Sequence, residues 1–109
     1  MTRKAKPKKP SDRFVQSVRK MAKEIGVVFT DHAIERLWGR NIAVWRVPSV
    51  LQDPDREDTV VHNGKTYKRY IKKVYGRQVY VTFAEENKLK IIISVAWRGL
   101  GKKIQENAI

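Results

Sequence analysis

The chain has 109 residues, no cysteine and a formal net charge of +13, from 24 Lys and Arg against 11 Asp and Glu. That length supports one domain with one modest core. The missing cysteines exclude a disulfide framework and a thiolate zinc site, and no apolar run reaches the ~18 residues of a membrane span. A charge this high destabilises a compact chain by self-repulsion unless a polyanion offsets it. Nucleic acid is therefore the expected partner, and no segment pairs a basic face with the broad apolar face that membrane binding needs. The basic start has no apolar stretch behind it, so no secretory signal is read and a cytoplasmic location is expected.

Residues 1–10 carry Arg3, Lys4, Lys6, Lys8 and Lys9 with no acid. They are predicted as a disordered basic arm, serving phosphate contact or simply solvated. Ser11 can cap a first helix in which Phe14, Val15, Val18, Met21, Ala22 and Ile25 recur at helical spacing, with Gly26 as its stop. Val27, Val28 and Phe29 form a short apolar connector or strand. Thr30 or Asp31 caps a second helix running to about Arg40. Ala33, Ile34, Leu37 and Trp38 share one arc of it, and His32, Arg36 and Arg40 line the next. A third helix, short or kinked at Pro48, is read from Val44, Val47, Val50 and Leu51. An acidic loop, 52–58, follows.

From Thr59 the period changes to two. Asn63-Gly64 predicts a tight hairpin. Further turns are read at Tyr75-Gly76-Arg77 and 85–88. Val79, Val81 and Phe83 alternate with Gln78, Tyr80 and Thr82. In the last strand Leu89, Ile91, Ile93, Val95 and Trp97 alternate with Lys90, Ile92, Ser94, Ala96 and Arg98. The expected fold is α+β: two or three N-terminal helices packed on a four-stranded antiparallel meander over residues 11–98, with a tail at 99–109. Leu37 and Trp38 are expected against the strand face carrying Ile91, Ile93 and Val95. The other sheet face is expected to be open and polar.

Residues 59–84 hold Lys65, Lys68, Arg69, Lys72, Lys73 and Arg77 without an acid. Lys68, Tyr70 and Lys72 alternate along one strand and are expected on one face with Tyr80 and Thr82. Cations interleaved with aromatics suit single-stranded RNA, where bases stack while the backbone is neutralised. Lys68, Arg69, Tyr70, Lys72, Lys73, Arg77, Tyr80 and Arg98 are the candidate nucleic-acid contacts. The competing reading is a solvated sheet face.

Residues 32–42 read H-A-x-x-R-x-x-x-R-x-I, followed by a Val/Leu segment, Asp53-Pro54 and the strand meander. Over roughly residues 27–98 this resembles a family of small domains that open with a His/Arg helix. That family is in turn similar to the barnase–EndoU–colicin–RelE-like ribonuclease toxins. The resemblance implies a metal-independent ribonuclease with His32, Arg36, Arg40 and Ser94 at its site, and Lys72 as a further basic residue. It implies no cofactor.

Such chemistry needs a base for the 2′-hydroxyl, cations for the charge building on phosphorus, and an acid for the leaving oxygen. A neutral His32 would be the base, Arg36 and Arg40 the phosphate clamp, Lys72 or Tyr70 a further source of charge or a proton, and Ser94 a hydrogen-bond donor. The expectation is a concave basic pocket shared by His32, Arg40 and Ser94, with Arg36 at its rim. Equally, His32 can be a capping or packing residue, and Arg36 can pair with Asp31, Glu35 or the acidic loop. Two readings stand: a toxin-like endoribonuclease, and a non-catalytic RNA- or DNA-binding module of the same fold. A protein partner, if present, is expected to be an acidic antitoxin or inhibitor. Two histidines and no cysteine offer no metal site.

Overall fold

A computed structural model describes residues 9–99 of the chain. Most of the expected arm and all but Gly99 of the expected tail lie outside the described residues. The elements are α1 (Asp12–Ile25), β1 (Val27–Phe29), α2 (Asp31–Gly39), α3 (Arg46–Gln52), β2 (Arg56–His62), β3 (Lys65–Val74), β4 (Arg77–Glu86) and β5 (Leu89–Arg98). The α+β class is as expected, but the sheet has five strands and is mixed. Its order is β1-β5-β4-β3-β2, and β1 runs parallel to β5. The Val27–Phe29 connector is thus an edge strand, paired only with Lys90–Ile92. No helix among the described residues is long and apolar enough to cross a membrane.

Local signals account for the helices. The Ser11 hydroxyl accepts from the Phe14 amide, and Gly26 ends α1 in the left-handed region at φ 77°. Thr30 caps α2 by accepting from the Ala33 amide at 3.0 Å, and donates its own hydroxyl to the Ile92 carbonyl at 3.1 Å. One side chain therefore starts the helix and ties it to β5. Pro48 falls in the first turn of α3, where its missing N–H costs nothing.

Three two-residue turns join the last four strands. Asn63-Gly64, Tyr75-Gly76 and Asn87-Lys88 all have positive φ at both positions, the twist that suits a hairpin. Such turns fix register by parity. His62 faces Lys65 and Val74 faces Arg77, so even-numbered residues of one strand face odd-numbered residues of the next. Between β4 and β5 the parity breaks once. Phe83 faces Ile92, but Thr82 faces Ser94, leaving Ile93 as the extra residue of a bulge.

The helices cover the face built from Val79, Val81 and Phe83 of β4 and Ile92 and Val95 of β5, all fully buried. Ile34 and Leu37 of α2, Val18 of α1 and Val47 and Val50 of α3 complete the core. The expected face of Ile91, Ile93 and Val95 is thereby corrected: the bulge flips the phase, so Ile92 turns inward before it and Val95 after it. Leu37 is buried, whereas Trp38 is only half-buried, edge-on to Phe14 with ring centroids 5.0 Å apart. Leu37→Ala is expected to cost about 2–5 kcal/mol, read by urea denaturation. A cost below about 0.5 kcal/mol would contradict this packing, since even one buried methyl group usually costs more.

Candidate nucleic-acid interface

The outer face of the sheet follows from the same register. Arg69 and Thr82 face each other across β3 and β4, as do Ile71 and Tyr80, and Lys73 and Gln78. Thr82 faces Ser94 and Gln78 faces Arg98 on β5. All of these lie opposite the core-facing residues. Lys68, Tyr70 and Lys72 do not join them: they face Phe83, Val81 and Val79 on the helix side. The expectation that Lys68, Tyr70 and Lys72 share a face with Tyr80 and Thr82 is therefore wrong. A two-residue turn at Tyr75-Gly76 pairs even with odd, where the expected grouping paired even with even.

The helix-side residues have structural partners. Tyr70 packs edge-on against Phe83, ring centroids 4.8 Å apart. Lys72 donates to the Asp53 carbonyl at 2.8 Å and lies 3.2 Å from its carboxylate, tying the end of α3 to β3. Lys68 pairs with Glu85 at 2.7 Å. That contact holds the Glu85 carboxyl below its ordinary range and raises the Lys68 ammonium. The Arg77 guanidinium lies over Trp97, 4.7 Å from its centroid.

On the outer face, Arg69 donates two bonds, at 2.7 and 2.8 Å, to the Asp58 carboxylate. The bond from Arg69 holds Asp58 below the ordinary carboxylate range. Tyr80 lies between two guanidiniums, with Arg69 4.9 Å and Arg98 5.4 Å from its ring centroid, and donates its hydroxyl to Gln78 Oε1 at 3.0 Å. A cavity of about 440 Å³ is lined by Lys73, Gly76, Gln78, Tyr80, Arg98 and Gly99. A second of about 370 Å³, lined by Asp55, Arg56, Ile71, Lys73 and Gln78, shares Lys73 and Gln78 with it. The carboxylate in that second hollow already accepts the Lys73 backbone N–H at 2.6 Å. Among the described residues, neither Lys73 nor Arg98 forms an ion pair. Arg56 and Gln78 line the hollow without having been singled out from the sequence. Counting residues across the two-residue turns would have placed both.

The His/Arg edge of α2 is arranged differently from expectation. His32 is exposed at the head of the helix, and its Nε2 accepts from Arg36 Nε at 3.0 Å. Asp31 pairs instead with Arg19, at 2.9 Å. Arg40 Nη1 donates to the Val95 carbonyl at 2.7 Å, beyond the end of β1. Burial, and then the nearby Arg36, lowers the Arg40 value. Ser94 is on the outer face, the side away from the helices. The expected pocket uniting His32, Arg40 and Ser94 is thus not formed, because the bulge at Ile93 leaves Val95 facing the helices and turns Ser94 away. Among the described residues no group of three or more His, Asp or Glu side chains converges on one point.

Compared with known protein families, curated proteins and solved structures, the chain has no match.

Because the folded Asp58 value is depressed, the Arg69 pair stabilises the fold above the unfolded carboxylate value of about 3.9. That contribution is lost as pH falls through the lower folded value. Asp58→Asn is therefore expected to be less stable than the parent near pH 7, with the gap closing below about pH 4. Chemical denaturation across that range measures it, and a gap independent of pH would contradict the ion pair.

Proposed function

We propose that this chain binds RNA on the outer face of its sheet, with the phosphate backbone seated over the hollow around Lys73, Gln78, Tyr80 and Arg98. One observation carries the reading: Lys73 and Arg98 border a hollow and have no carboxylate partner among the described residues, whereas Lys68, Arg69 and Lys72 are each paired with an acid. Unpaired cations around a concave surface attract a polyanion without first breaking an ion pair. The net charge of +13 favours the same ligand class. Tyr80, Thr82 and Ser94 add hydroxyls to this face, groups that can meet a ribose 2′-hydroxyl. Asp55 and Asp58 lie toward β2 and would steer a strand to the β4–β5 side.

A second reading, cleavage of RNA held at the edge of α2 instead of on the outer face, is favoured by the exposure of His32 beside Arg36. It requires Arg36 to release Nε2 before that nitrogen can take a proton. Labelled RNA in excess EDTA separates the two readings. Intact RNA is expected from binding alone, and 2′,3′-cyclic ends that vanish in His32→Ala would favour cleavage.

Affinity for RNA should fall steeply with salt. For single strands each lost phosphate contact flattens the log–log slope by about 0.7, so Lys73→Ala with Arg98→Ala should flatten it by roughly 1.4. Lys68→Ala, whose ammonium is paired with Glu85, should leave the slope almost unchanged. Equal losses from both variants would contradict the outer-face assignment.

A further inference from the structure

Two of the most exposed aromatic residues lie close together, though they come from distant parts of the chain. Trp45 immediately precedes α3 and is 56% exposed; Tyr75 opens the β3–β4 turn and is 69% exposed. Arg46 joins them. Its guanidinium carbon lies 4.0 Å from the Trp45 ring centroid and 5.5 Å from that of Tyr75, and the residue is only 7% exposed. A planar cation packed against both rings limits their motion while leaving more than half of each residue open to solvent.

The backbone supplies an independent reason to look here. Tyr75 has φ 52°, the left-handed region that bulky side chains seldom adopt. The equivalent first position of the other two turns is Asn63 and Asn87, residues that tolerate this conformation readily. A tyrosine here carries a conformational cost, and its ring is largely outside the core. Strain of this kind at a residue that stays 69% exposed, with Arg46 against its ring, points to a use on the surface.

The position identifies the ligand. Gly76, the next residue, lines the hollow that contains Lys73, Tyr80 and Arg98. A strand whose phosphates sit at Lys73 and Arg98 meets the β3–β4 turn that carries Tyr75, and Arg46 sets Trp45 beside that ring. Only unpaired bases can stack on a protein ring without breaking a duplex. We infer that Trp45 and Tyr75 form a base-stacking platform that makes this chain a binder of single-stranded RNA. The inference rests on the outer-face reading above and extends it from phosphate contact to base contact.

Tyr75→Asn tests it with the residue that the other turns already use, so the fold should keep or raise its thermal midpoint. Fluorescence anisotropy of the full chain would use three probes over one shared series of salt concentrations: a mixed-sequence single-stranded RNA 12-mer, the same strand with abasic sites, and its duplex. Tyr75→Asn and Trp45→Ala should each weaken single-strand binding about five- to a hundredfold, the range of one lost stacking contact. Neither should change abasic-strand or duplex affinity, nor the salt slope. Folded Tyr75→Asn with parental single-strand affinity would overturn the platform, as would an abasic strand bound as tightly as the intact one. If the parent chain shows no salt-dependent binding to any probe, the outer-face reading falls and the platform with it. Salt-dependent binding indifferent to both rings overturns the platform alone.

Discussion

Side chains on a strand alternate between two faces, so one residue more or fewer in a connection moves every later side chain to the other side of the sheet. In this chain that constraint is applied four times, by three two-residue turns and one bulge. The turns place Val79, Val81 and Phe83 against the helices and, by the same step, Arg69, Lys73 and Tyr80 against solvent. The bulge at Ile93 then lets β5 present Ile92 and Val95 inward from positions of opposite parity. It also gives the described part of the sheet its Ser94–Thr82 and Arg98–Gln78 pairs on the outside.

Charges on both faces of the sheet take part in holding the fold. On the helix side Lys68 is paired with Glu85 and Lys72 with Asp53. On the outer face Arg69, a quarter exposed, is paired with Asp58. Lys73 and Arg98 remain available, with the Tyr80 ring beside the Arg98 guanidinium. Arg40 is used differently again, on the Val95 carbonyl of β5. A basic composition therefore overstates the ligand-binding surface, because several of its charges are used to hold the fold.

The helices and their caps were legible in the sequence, because caps and 3.6-residue periodicity are local. Ser11, Gly26 and Thr30 act where their residue types suggest. The β1 strand was not assignable from three apolar residues alone: Val27–Phe29 is strand-like only because β5 offers it a parallel edge. Lys68, Tyr70 and Lys72 lie on the face opposite to the expected one because the Tyr75-Gly76 turn has two residues, not three. The face of Ile91 and Ile93 is not legible in the sequence, because no residue type announces a bulge between Ile92 and Ser94. Of the candidate nucleic-acid contacts, the open hollow gathers Lys73, Tyr80 and Arg98, while the helical His/Arg motif lies on the other side of the sheet from Ser94. Local chemistry was readable; which residues meet across strands was decided by register.

The assignment of the ligand to the outer face is tested most directly by titrating the isotope-labelled chain with single-stranded RNA and following backbone amide shifts by NMR. The largest shifts are expected at Lys73, Gln78, Tyr80 and Arg98, with the amides of His32 and Arg36 nearly unmoved. Shifts centred on His32 and Arg36, with the β3–β5 amides unchanged, would contradict it and move the ligand to the edge of α2.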